Sequence, residues 1–299
     1  MHHTKYLRKT VGSRVFDIFN IIFMILFMFI MIYPFYNQFI LSLNDGADAA
    51  RGGIYFFPRK FSTSAYEMLF SNSNLIRGSV ISILRVVVGT VTCLLTTGLL
   101  AYIVTIKNFS GRKFMRILFI VTMYFGGGLI PFYLLIVKLK MINTFSVYWI
   151  PNLINAYYML LIASYIQNIP DSLVEAARID GASELKIYIK LIIPLCKPVL
   201  AAISVYLAVG HWNSWFDVLI YNPAGKWDTL QVYLRRLLLE VEALEKIRDA
   251  QLARTKFRNL SPMTLRAATT MLVTLPILIV YPFFQRYFVG GITIGAVKE

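Results

Sequence analysis

The chain is 299 residues long, 58% hydrophobic and 15% charged, with 30 Lys+Arg against 15 Asp+Glu for a formal net charge of +15. Its apolar content excludes a disordered polyelectrolyte, and its charged fraction falls well short of the roughly one quarter usual in a soluble enzyme. In so apolar a chain a basic excess reports membrane topology, where Lys and Arg gather on the cytoplasmic side, and not nucleic-acid binding.

In chain order, Lys5, Arg8, Lys9 and Arg14 come first, in a tail over 1–15, and are followed by an uncharged stretch from Ile18 to Asn44. That stretch is too long for a signal-peptide core and lacks a small-x-small cleavage site, so a retained first span is predicted. Six segments hold the roughly 20 mostly apolar residues that a spanning helix needs. They are about 16–43, 80–106, 117–137, 141–169, 191–216 and 267–289, which together make an all-α membrane domain over 16–289 and leave a tail at 290–299. Charges fall between these segments or at their ends. Arg85 is the exception, and it lies close enough to one end to snorkel to the interface. Cys93 sits in an apolar run and Cys196 just beyond Pro194; two cysteines so placed build no disulfide framework and read as small apolar fillers.

Orientation follows from the short loops. The N-terminal tail and the 107–116 loop hold eight basic residues, against two in the 138–140 connection. The positive-inside rule then places the N-terminus, the 107–116 and 170–190 loops and the C-terminus in the cytoplasm. Gly126, Gly127 and Gly128 with Pro131 interrupt the third span, and Pro151 breaks the fourth. In the long 217–266 connection Leu230, Leu234, Leu237, Val241, Leu244 and Ile247 recur every three or four residues, which predicts an amphipathic extracytoplasmic helix over about 229–256.

The loop after Pro170 is the least membrane-like part of the chain. Ser172 and Glu175 have the spacing of a capping box, so a short helix is predicted to begin just after Ser172. Gly181 supplies the left-handed residue that ends it, and Ser183 caps a second helix that runs through Leu191 into the fifth span, with Pro194 near the membrane entry. Ala176 and Ala177 offer a small flat face. Asp171, Glu175, Asp180 and Glu184 put four of the fifteen acids into fourteen residues. Acid in a cytoplasmic loop does nothing for insertion, so it points to a contact with a partner.

The run Glu175-Ala176-Ala177, Asp180-Gly181-Ala182 and, nine residues on, Ile192-Ile193-Pro194-Leu195 resembles the EAA loop of permease subunits from ATP-binding cassette (ABC) importers. Trp212-Asn213, Gln285-Arg286-Tyr287-Phe288 and Gly295-Ala296-Val297-Lys298 resemble carbohydrate permeases of the maltose-type class, LplC-like ones in particular. The resemblance covers most of the chain, weakens over 217–266, and departs at Glu299, where such permeases commonly carry glycine. It implies a six-span, N-in/C-in helical bundle of the importer-permease (MetI-like) type in the bacterial cytoplasmic membrane, importing an oligosaccharide. It also implies that 171–195 is the coupling loop, with Glu175, Ala176, Ala177, Asp180, Gly181 and Pro194 serving the ATPase contact. The implied partners are a second permease subunit in a heterodimer, two cytoplasmic ATPase subunits that carry ATP and Mg, an extracellular solute-binding protein and membrane lipid. The chain lacks a G-x-x-x-x-G-K-[ST] phosphate loop, so it is expected to be a transport subunit without its own ATPase site or cofactor.

Sugars are held by aromatic stacking and by amide or hydroxyl hydrogen bonds, which makes Tyr124, Tyr133, Asn155, Tyr157, Trp212 and Asn213 the candidate pathway residues. Two other classes compete. A secondary transporter driven by an ion gradient would usually carry carboxylates within its spans, and no Asp or Glu lies in the middle of any of the six. A membrane enzyme would need a catalytic constellation, yet His2 and His3 sit in the tail and His211 stands alone.

Overall fold

The computed structural model describes residues 11–246 and 261–296. In chain order the helices are α1 (Val11–Ser42), α2 (Gly46–Ala49), α3 (Ser64–Ser71), α4 (Ser73–Ile103), α5 (Arg112–Tyr124), α6 (Leu129–Lys138) and α7 (Ala156–Gln167). After these come α8 (Asp171–Ile179), α9 (Glu184–Ile187), α10 (Ile193–Leu195), α11 (Lys197–Asn213), α12 (Phe216–Tyr221), α13 (Leu230–Lys246) and α14 (Pro262–Ala296).

By length and apolarity, α1, α4 and the Pro262–Pro282 part of α14 can each cross a membrane among the described residues. Two bent pairs raise the number to five if each counts as one span: α5 with α6, at 116°, and Glu184–Leu195 with α11, at 79°. The first bend falls at Gly126–Gly128, where Gly128 takes a left-handed φ of +80°, so the glycine run does interrupt the third expected span. Residues 141–169 are not one helix. They form two 3₁₀ turns, Phe145–Tyr148 and Ile150–Asn152 with Pro151 inside, and then α7, whose 12 residues reach only about 18 Å at 1.5 Å per residue.

The chain divides into two compact units, Met1–Ser71 with Glu240–Leu272 and Asn72–Leu239 with Val273–Glu299. In the first, the apolar window of α1 is 0% buried, so this helix turns its whole circumference outward, as a helix bathed in lipid or awaiting a partner does. Its last turn is buried, where Ile40 and Leu41 cluster with Ala49, Ile54 and Ala267. Beyond that turn Asp48 accepts hydrogen bonds from the Asn44 amide at 3.0 Å and from Arg59 Nε at 3.1 Å. The Asn44 bond, reinforced by Arg59 and opposed by burial, holds the Asp48 carboxyl below the usual carboxylate range.

The second unit is built around α4, which packs against α7 and α11. Cys93, Leu100, Ala101, Met159, Ile162, Ile192, Cys196 and Ile203 form its core, so both cysteines are the buried apolar fillers expected. The start of α13 sits on the N-terminal half of α4. Leu230 N donates to Ser82 Oγ at 2.9 Å, and Gly78 leaves its backbone room, since a Cβ there would lie 3.2 Å from Leu230 N. Leu230, Leu234 and Leu237 are buried, as their spacing predicts, and Val232 joins them. The helix is described as far as Lys246; the predicted part over 247–256 lies outside the described residues.

Candidate functional site

Three residue sets bear on function: the 170–195 loop, a buried charge pair, and the aromatic and amide residues expected to meet a sugar.

The loop forms two short helices about a glycine turn. Pro170, with φ −56° and ψ 126°, leads straight into α8, which therefore starts at Asp171. This corrects the capping-box expectation: Ser172 lies inside the first turn, and no side chain caps the helix. Asp171 instead suits the positive N-terminal end of the helix and pairs with Lys107, in the turn that follows α4. Gly181 has φ +74°, the left-handed geometry that the turn requires, and its N–H bonds back to the Arg178 carbonyl at 3.0 Å. Ser183 then caps α9 by accepting the Lys186 N–H at 3.4 Å, as expected. The chain passes through a wide π-type turn over Tyr188–Ile192 into α10, which carries Pro194, and bends at Cys196 into α11.

On α8, Val174 and Ala177 pack against the unit's core together with Ala182. Leu173, Glu175, Ala176 and Ile179 point outward, Ile179 at 86% exposure. The two alanines thus lie on different faces of α8, one exposed and one packed, because consecutive helical residues are about 100° apart. The outer surface of α8 thus carries Leu173 and Ile179 among the exposed Asp171, Ser172, Glu175 and Arg178. Behind it, Glu184 ties the loop to α4. Its carboxylate accepts Arg178 Nε at 2.9 Å on one oxygen and the Tyr102 hydroxyl at 2.5 Å on the other. These bonds, Arg178's first, hold the Glu184 carboxyl below its usual range.

The second set shows in the sequence only as an odd charge. Arg85 is 1% exposed and does not snorkel. It makes a two-pronged ion pair with Asp217 at the start of α12, Nη1 to Oδ1 at 3.3 Å with a second, shorter contact to Oδ2, and its guanidinium lies 4.8 Å from the centre of the Tyr148 ring. The Tyr148 hydroxyl donates to the Trp227 carbonyl at 3.0 Å. Buried beside Gly89 is His211, and a Cβ on Gly89 would meet its Cε1 at 2.6 Å. Arg85 Nε and His211 Nε2 are buried without hydrogen-bond partners. The signal that could have found the pair is an unpaired arginine in one span and an aspartate one residue past the end of another.

The six candidate pathway residues have different surroundings. Trp212 lines an apolar cavity of about 220 Å³ with Ile83, Val87, Val205 and Ile277, and its indole N–H donates to the Val273 carbonyl at 3.1 Å. Asn155 caps α7 by accepting the Tyr158 N–H at 3.1 Å. Tyr133 stacks on Tyr221 with ring centroids 6.2 Å apart. Tyr124, Tyr157 and Asn213 are exposed, Asn213 accepting Gln231 Nε2 at 3.4 Å.

Apolar helices broken at glycine and proline, with a two-helix loop fastened to the longest helix of the core, have the build of a helical membrane protein. Comparison with known proteins narrows the class. No protein-family model matches the chain. It is 35% identical over 301 residues to protein LplC of Bacillus subtilis, covering 100% of this chain and 98% of that protein. It is 30% identical to the polygalacturonan/rhamnogalacturonan transport system permease protein YtcP of the same organism, covering 96% and 99%. Among solved structures, a chain of a bacterial ABC transporter that imports the acidic polysaccharide alginate superimposes with a TM-score of 0.85 at 29% identity, covering 94% of this chain and 99% of that one. The chain belongs to the family of membrane-embedded carbohydrate permease subunits of ABC importers.

Proposed function

We propose that this chain is one of two permease subunits in an importer that carries an oligosaccharide across the bacterial cytoplasmic membrane. It crosses six times with both termini in the cytoplasm, residues 141–169 crossing as 3₁₀ turns plus α7. α8 is its coupling helix. Its exposed Glu175, Ala176 and Asp180 face a cytoplasmic ATPase subunit, Gly181 turns the chain back, and Pro194 carries it towards the membrane. ATP and Mg are bound and hydrolysed by two such ATPase subunits, and an external solute-binding protein delivers the sugar. Closure of the ATPases on ATP moves α8 and switches the spans between inward-open and outward-open states. The exposed Tyr124, Tyr157 and Asn213, with Tyr133, line the sugar path, while Asn155 and Trp212 hold it in shape.

The observation that carries this reading is the exposed face of α8, with its acids and its Leu173 and Ile179 side chains outward, on a chain of this family. The oligosaccharide cargo rests on the relatives, named for polygalacturonan or rhamnogalacturonan and for arabinooligosaccharides. Purifying the tagged chain from its native membrane tests the assembly: an ATPase, a second permease and a binding protein are expected with it, and sugar uptake into proteoliposomes should require ATP. Uptake by the isolated chain without ATP would overturn the proposal.

A further inference from the structure

The coupling helix is tied to α4 at both of its ends. At the N-terminal end Asp171 pairs with Lys107, just beyond the last turn of α4. At the other end Arg178, in the last turn of α8, donates to Glu184, and Glu184 in turn accepts the hydroxyl of Tyr102. Tyr102 is 4% exposed and belongs to the final turn of α4. Its ring stacks on Tyr188 with centroids 5.4 Å apart, and Tyr188 is seated against Gly98, one turn back, where a Cβ would come 2.9 Å from its hydroxyl. One carboxylate therefore joins the coupling helix, the turn behind it and the end of the longest helix in the unit. The two ties differ in kind: the Lys107–Asp171 pair is exposed on both sides, whereas the Tyr102 hydroxyl reaches out from the core.

We infer that Glu184 and Tyr102 are positioning residues for transport, forming the clamp through which displacement of α8 is carried into α4. This rests on the reading of α8 as the coupling helix. Without the clamp, the Gly181 turn is free to absorb the displacement, since Gly181 has nothing within 4 Å of its Cβ position and a left-handed φ. With it, α8 and the end of α4 move as one body, and α4 passes the motion to α7 and α11, against which it packs.

The test uses the complete transporter in lipid nanodiscs, with spin labels at Ser172 on α8 and Asn108 beyond α4, both exposed; the native Cys93 and Cys196 are buried. Distances are measured without nucleotide and after trapping with MgATP and vanadate. In the unmodified clamp the label separation is expected to stay constant on trapping. In Tyr102→Phe, which keeps the ring stack, and in Glu184→Gln, which keeps an acceptor oxygen but not the charge, it should shift or broaden, and ATP hydrolysis should lose its stimulation by the binding protein. Both variants should retain the ATPase subunit at normal stoichiometry, whereas Glu175→Lys should lose it. A separation that changes on trapping in the unmodified complex, or variants identical to it with the ATPase bound, overturns the clamp. Full retention of the ATPase by Glu175→Lys with unchanged hydrolysis overturns the docking reading itself, and the clamp falls with it.

Discussion

Two ion pairs of α4 and its surroundings use the same chemistry with opposite consequences. Lys107–Asp171, at the cytoplasmic loop, is solvated on both sides, while Arg85–Asp217 has its arginine side chain at 2% exposure. In water an ion pair gains little over its separated charges; in an apolar interior each charge depends on the other, and losing one strands its partner. The loop pair can therefore be broken at little cost, whereas the interior pair fixes α12, and with it the connection to α13, on the bundle.

Substitutions separate the two regimes. Asp217→Ala should have the largest effect, about 3–5 kcal/mol, because it leaves Arg85 buried and unpaired; a loss of detergent-stable monodisperse protein would show it. Gly89→Val comes next, since the new side chain enters space held by His211, and overpacking of this kind costs about 1–3 kcal/mol. Its melting temperature should fall while Gly126→Val, with nothing within 4 Å, stays near the parent. Gly181→Val forces a β-branched residue to φ +74° at about 1–2 kcal/mol. Its damage should appear in coupled ATP hydrolysis more than in the melting curve. Lys107→Ala should cost at most about 1 kcal/mol and shrink further with added salt.

Acid sharpens the same contrast. Glu184 has its pKa lowered in the folded chain, so its contribution is present above the ordinary carboxylate pKa and is lost as pH falls through the folded value. The protection of α8 amides against hydrogen exchange, measured relative to their intrinsic exchange rates, should therefore fall as pH drops below the ordinary carboxylate range, and Glu184→Gln should weaken that dependence.

Much of this was legible in the sequence because it depends on local chemistry. The apolar runs of α1 and α4 follow from composition, the turn at Gly181 from the residue that tolerates left-handed backbone, and the Ser183 cap from its hydroxyl. The start of α8 was not, because Pro170 and Asp171 offered a helix start two residues ahead of the one spelled by Ser172 and Glu175. Nor was the breakdown of 141–169 into 3₁₀ turns, where composition reports apolarity but not the path of the backbone. Arg85 was misread as snorkelling because its partner is 132 residues away, and the Tyr102–Glu184 bond was hidden by a separation of 82. Contacts that long are set by packing, which a periodicity cannot display.

The most direct test of α8 as the coupling helix is site-specific photocrosslinking in native membranes. A photoreactive residue replacing Ile179, at 86% exposure, should crosslink to the ATPase subunit, and one replacing the inward-facing Val174 should not. Crosslinks from Ile179 only to lipid or to the second permease, in complexes that still contain the ATPase, would contradict the account.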